Sequence, residues 1–219
     1  LEFSYKPLEG GPMKKKMLSH PTAPHQRKEP EKSRITVVDY NKDEVNIHEL
    51  DKPEDAFVFL KTPSVTWINI DGLRKDNVEK ISAHFGIHPL IAEDILSIGQ
   101  RPKTDDVNGL VYCLLYMLSF LEKSSCIETE QISIILGKNF VITFQEEADR
   151  DPFNSLREKI KSDGSKVRQN GADFLFYSFL DHIVDHYFVV MEKMGDKIEL
   201  LEEEIIKKVS NRSIVKINN

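Results

Sequence analysis

Cysteine is scarce, with only Cys113 and Cys126 in 219 residues. That count excludes a disulfide-stapled scaffold and a zinc site made of four thiolates, and it points to a reducing compartment. Long apolar runs are also missing. The longest near the middle, Leu110 to Leu118, has nine residues, against about 20 for a membrane helix. The chain as it stands is therefore expected not to span a bilayer. There is no Gly-rich phosphate loop, no Gly-x-Ser-x-Gly elbow and no His-Glu-x-x-His. Both cysteines fall in predicted strands, where buried structural thiols are expected. No nucleophile or base stands out, so the expectation is a protein that is not an enzyme. A secretion signal is not expected either: Lys14 to Lys16 is followed by His20, Pro21, Pro24 and His25 instead of an apolar stretch.

What the chain has is charge, unevenly spread. Charged residues make up 30% and the net charge is −6. Residues 1–34 carry a balance of +4 and five prolines, which predicts a flexible basic arm. The remaining residues carry a balance of −10. An acidic body argues against nucleic acid as a partner and for cations.

From Ile35 onward the pattern is that of a folded domain. Ile35–Tyr40 and Val45–Leu50 read as strands around the turn Asn41-Lys-Asp43, and Thr66–Ile70 as a third, closed by Asp71-Gly72. Asp76 with Glu79 suggests a capping box for a helix with Val78, Ile81 and Phe85 inward, stopped by Gly86. His88-Pro89 opens a second helix with Ile91, Ile95 and Ile98 in one stripe, ended by Gly99. Leu110–Phe120, Cys126–Leu136 and Phe140–Phe144 predict a three-stranded meander whose last turn is Gly137-Lys-Asn139. A helix near Phe153–Ile160 follows. Last comes a heptad seam, Leu180, Val184, Tyr187, Met191, Met194, Ile198, Leu201 and Ile205, which predicts a long helix packed along another helix. That helix carries nine carboxylates against two lysines between Gly171 and Ile206, should end near Val209, and Ser210-Asn211 could start the next. Strands first and a long helix last imply an α/β layered domain leading into a helical stalk.

Three sets of side chains are candidates for cation binding. Glu93 and Asp94 are adjacent on the second helix and diverge by about 100°, so the pair needs carboxylates from elsewhere to hold one ion. Asp181 and Asp185 share a helix face, as do His182 and His186, an i,i+4 histidine spacing that can bind zinc. Asp181 lies beside the seam, where an acidic group could face a neighbouring subunit.

The ordered run Trp67-Ile-Asn-Ile-Asp-Gly72, His84-Phe-Gly-Ile-His-Pro-Leu90, Glu93-Asp94-Ile95-Leu96 and Gln100-Arg-Pro-Lys103 resembles CorA-type divalent-cation transporters. Glu130-Gln131 with Ser133, Phe140 to Gln145, and Tyr177-Ser-Phe-Leu-Asp181 extend the resemblance over residues 35–208. It implies an α/β/α layered sandwich with a mixed, largely antiparallel sheet, followed by a long acidic stalk-type helix. The implied layout is an arm over 1–34, a cytosolic funnel domain over 35–165, and the acidic helix with the start of the next over 166–219. The family's membrane helices and Gly-Met-Asn loop are not in this sequence. The resemblance further implies a cytoplasmic domain of a membrane protein that is pentameric at full length, regulating Mg2+ or Co2+ transport. Glu93, Asp94 and Asp181 match positions of the regulatory metal sites, with Mg2+ as the sensed ion. His186, where many relatives are acidic, keeps Zn2+ and a zinc-transporting relative as the alternative, beside a soluble coiled-coil interaction domain.

Overall fold

Seven strands form one mixed sheet with helices on both faces. The computed structural model describes residues 29–207 except Lys123 and 148–150; most of the predicted arm and the helix expected from Ser210 lie outside the described residues. The strands are β1 (Arg34–Tyr40), β2 (Val45–Leu50), β3 (Val65–Asp71), β4 (Lys103–Val107), β5 (Leu110–Leu121), β6 (Cys126–Leu136) and β7 (Phe140–Gln145). Their order is β2-β1-β3-β7-β6-β5-β4. Every pairing is antiparallel except the central one, β3 with β7, where Trp67 lies opposite Val141 and Asn69 opposite Thr143.

Local chemistry explains the connections. Asn41 turns the first hairpin by accepting from the backbone N–H groups of Asp43 and Glu44, each at 2.8 Å. Gly72 closes β3 at φ +79°, where a Cβ would lie 2.2 Å from the Lys32 carbonyl oxygen, so the passing chain demands glycine. Between β2 and β3 the segment Pro53–Lys61 coils as a 3-10 helix that the sequence pattern did not announce.

Alternation along the strands sends one set of side chains to each face. Val37, Ile68, Ile70, Ile135 and Ile142 face α1 (Lys75–Phe85), α2 (Pro89–Leu96) and the 3-10 segment. Val38, Trp67, Ile134 and Val141 face α3 (Asn154–Lys161), α4 (Lys166–Gln169) and α5 (Ala172–Lys207). The result is the expected α/β/α sandwich with a long final helix. Leu175, Phe179 and Ile183 of α5 belong to the same core as Trp67 and Phe153.

Several local expectations need correction. The capping box does not form: α1 starts at Lys75 without a side-chain cap, and Asp76 pairs with Lys80 and Glu79 with Lys75 as i,i+4 ion pairs. The second helix stops at Leu96, before Ile98, because the Ser97 hydroxyl and N–H both turn back to the Glu93 carbonyl. Cys113 is a buried thiol as expected, but Cys126 starts β6 in the open. The seam meets the sheet only in part: Leu180 and Tyr187 pack on its core, and the Tyr187 hydroxyl donates to the Tyr116 carbonyl at 2.5 Å. A stripe offset from it, Leu175, Phe179, Ile183 and Val190, is buried, while Val184, Met191, Met194 and Ile198 are 42–63% exposed.

Candidate metal centre

The helix that carries Glu93 and Asp94 is fixed at both ends. His88 caps it, its Nδ1 accepting from the Leu90 N–H at 3.2 Å, and Pro89 takes the first helical position. Ile91, Ala92 and Ile95 anchor it on the sheet. With that stripe inward the two carboxylates diverge as the helical angle requires. Glu93 is exposed, at the rim of a cavity of about 580 Å3 between α1 and α2 floored by Leu73, Ile87 and Ala92.

Asp94 points the other way, to the neighbouring strand. Its side chain is 20% exposed, and its Oδ2 lies 2.5 Å from the ammonium of Lys103 at the start of β4. Lys103 is shared: Asp105 Oδ2 is 3.5 Å away and the Tyr112 ring centroid 5.8 Å. Hydrogen bonding to Asp94 holds the Lys103 pKa above that of an ordinary lysine. The Asp94 carbonyl accepts from Gln131 Nε2 at 3.3 Å, which ties the end of α2 to β6.

Asp181 sits on α5, exposed, with Tyr177 one turn earlier donating to it at 3.3 Å. Because α2 and α5 cover opposite faces of the sheet, the fold does not bring Asp181 to Asp94. Among the described residues no group of three or more His, Cys, Asp or Glu side chains is close enough to share an ion. Each chain thus offers separate carboxylates.

The rings of His182 and His186 lie 4.4 Å apart, centroid to centroid, and each has one nitrogen bonded to a backbone carbonyl. His182 Nε2 donates to the Pro152 carbonyl at 2.8 Å, its Nδ1 lies 3.5 Å from the Ser155 hydroxyl, and burial lowers its pKa. His186 Nδ1 donates to the His182 carbonyl at 2.9 Å.

Two features were not foreseen from the sequence. Lys103 belonged to the run Gln100 to Lys103 without a role of its own, since the strand that carries it, Lys-Thr-Asp-Asp-Val, has no apolar alternation to mark it. Glu130 on β6 lines a second cavity of about 290 Å3 with Glu128, Glu147, Asp151 and His186. Its carboxylate accepts from the Glu147 N–H at 3.1 Å. Burial, then the charges of Glu146 and Glu147, push its pKa up to about 7.

Known proteins fit this arrangement. The model of the family described as CorA-like Mg2+ transporter protein matches residues 63–218. The cobalt/magnesium transport protein CorA of Thermotoga maritima is 38% identical over 181 residues, covering 82% of this chain and 51% of its own length. The soluble domain of CorA from Methanocaldococcus jannaschii superposes with a TM-score of 0.61 at 21% identity, over 84% of this chain and 68% of that one. The complete CorA magnesium transporter from the same organism gives 0.59 at 18% identity, over 84% of this chain and 54% of that one. The chain thus spans about half the length of the Thermotoga protein, and no helix among the described residues is long and apolar enough to cross a membrane. With residues 63–218 matched in sequence and the layered fold shared, the chain belongs to the CorA family of Mg2+ transporters.

Proposed function

We propose that this chain is the cytosolic, cation-sensing part of a pentameric Mg2+/Co2+ channel, with residues 35–165 as the funnel domain and the acidic helix from 166 as the start of the stalk. Glu93, Asp94 and Asp181 serve as half-sites, each completed by carboxylates of a neighbouring subunit. The observation that carries this reading is the separation of Asp94 and Asp181 onto opposite layers, each reaching the surface. Among the described residues neither belongs to a group of three or more possible ligands, and adjacent copies in a ring can bring opposite faces together.

The physics of gating follows from charge. The body of each subunit carries a balance of −10, so acidic faces brought together repel. A divalent ion between them turns repulsion into attraction and favours the closed ring; loss of the ion restores repulsion and favours opening. Linkage requires that whatever closes the ring also raises ion affinity. Bound Mg2+ would supply that bridging charge, and Asp94 and Asp181 would hold it, directly or through its water shell.

The test is limited proteolysis of the full-length protein across a Mg2+ series. Asp94→Asn is expected to weaken Mg2+ protection, shifting half-protection to higher Mg2+. Unchanged protection would remove Asp94 from the sensor.

A further inference from the structure

We propose that Lys103 is a built-in counter-cation that sets the Mg2+ threshold of the site at Asp94. This rests on the sensor role of Asp94 proposed above, and it assigns a regulatory part to a residue outside the carboxylate set.

The geometry is specific. The Lys103 ammonium sits 2.5 Å from Asp94 Oδ2, in the place a cation drawn to that carboxylate would take. It is not a free surface charge: Asp105 holds it from the second residue along the same strand, at 3.5 Å, and the Tyr112 ring lies 5.8 Å away. Tyr112 is buried in β5, and the backbone pairing of Lys103 with Leu114 fixes the strand beside it. Asp94 is fixed in turn by Ile95 beneath it and by Gln131 Nε2 on its carbonyl. Both partners are positioned by the fold, so their meeting is a property of the sheet edge and not of a wandering side chain.

At 36% exposure the Lys103 side chain has room to swing away, and Asp105 offers its ammonium a second carboxylate. An arriving divalent ion does not have to strip an unpartnered lysine into water; it displaces Lys103 from one carboxylate toward another. The tethered ammonium has a high local concentration and competes at all times, so Asp94 accepts Mg2+ only when the ion is abundant. A sensor meant to report ample Mg2+ needs such a low affinity, and a single charge of +1 beside the carboxylate supplies it.

Removing that charge should sharpen the site rather than damage it. Lys103→Gln, in the full-length protein, is expected to lower the Mg2+ concentration for half-protection by roughly 3–10-fold, given the repulsion between +1 and +2 charges a few ångströms apart at a water-exposed edge. Lys103→Arg keeps the charge and should keep the wild-type threshold. The protease must not cut at lysine or arginine, so a chymotrypsin-type enzyme is used, and urea unfolding of each variant shows whether the fold is intact. A purely structural lysine gives no such gain: protection is weakened or unchanged. If Asp94→Asn shifts the threshold while Lys103→Gln leaves it in place or raises it, the counter-cation role is overturned and the sensor stands. If neither substitution moves it, the sensor role of Asp94 falls as well, and this proposal with it.

Discussion

Both faces of the sheet carry an apolar core, but the longer run of buried polar bonds lies on one of them. Under α1 and α2 the core is apolar, with Ile68, Ile70, Ile81, Ile95 and Ile142 all fully buried. Under α3 and α5 a polar network runs along the parallel pair β3 and β7. Trp67 Nε1 donates to the Thr143 hydroxyl at 2.8 Å, and that hydroxyl donates to Asn69 Oδ1 at 2.6 Å. Gln145 Nε2 bridges Asn69 and Asp71 at 2.8 and 2.6 Å. Arg34 then pairs with Asp71 at 2.8 Å. Arg157 closes the network from above, its guanidinium 4.6 Å from the Trp67 ring and paired with Asp151. Apolar packing tolerates small changes of shape, whereas a buried network loses more when one member goes, because the partners left behind are already out of water.

That difference gives the largest expected effect. Arg157→Ala takes the closest cation from Asp151, leaving Arg34 at 3.6 Å, and uncovers the Trp67 ring, and should cost about 2–3 kcal/mol. On the other face Ile95→Val removes one methylene from an apolar site and should cost about 0.5–1.5 kcal/mol. Urea unfolding of the two variants measures both. Equal losses would mean that the network is no more brittle than the apolar face, and the contrast would fail.

The same α3/α5 side carries the pH dependence. Glu130 has a folded pKa of about 7 against an ordinary 4.5. Between these values the folded chain holds a proton that the unfolded chain has released, so stability falls as pH rises from about 4.5 to 7 and is flat above. Glu130→Gln can still accept from the Glu147 N–H but does not ionise. It should flatten this slope and be the more stable form at pH 8, on the order of 1–2 kcal/mol after allowance for water reaching the cavity. Unfolding midpoints of the two proteins at pH 5 and pH 8 decide it. Parallel pH profiles would show that Glu130 ionises normally.

The contrast between faces also explains what the sequence could and could not disclose. Strands such as Ile35–Tyr40 and Cys126–Leu136, the helix opened by His88-Pro89, and the long final helix were legible because local composition and periodicity determine them. Trp67, Asn69 and Asp71 show their alternation in the sequence, as do Thr143 and Gln145. Nothing local says that these two sets meet, because the parallel β3–β7 pairing joins residues more than 70 apart. The strand Lys103–Val107 was missed for a related reason. It is a charged edge strand, held by its ladder to β5 and not by an apolar face of its own. Glu93, Asp94 and Asp181 stand out as candidates by their helix positions, and the resemblance matches them to metal sites. Their divergence on helix α2 was readable from the 100° step, but the Lys103 contact depended on where β4 returns beside α2.

The smallest effect is expected where the sequence signal was most regular. The heptad seam on α5 predicts helix-on-helix packing, yet Val184, Met191, Met194 and Ile198 are exposed, and the sheet is met chiefly by Leu175, Phe179 and Ile183, with Leu180 and Tyr187 of the seam beside them. The two stripes are neighbours on the same cylinder, so one helix can serve the sheet with one face and keep the other for a second helix. Polar substitution tells the faces apart. Met194→Glu changes a side chain that is 42% exposed and lies in neither core cluster, and should change the stability of residues 1–219 by no more than about 0.5 kcal/mol. In the full-length protein the same change should lower resistance to thermal dissociation, since it would place a charge in a helix–helix seam. A large loss in the short chain would mean that the seam already has its partner within residues 1–219; no loss in either would make the heptad pattern a solvated face.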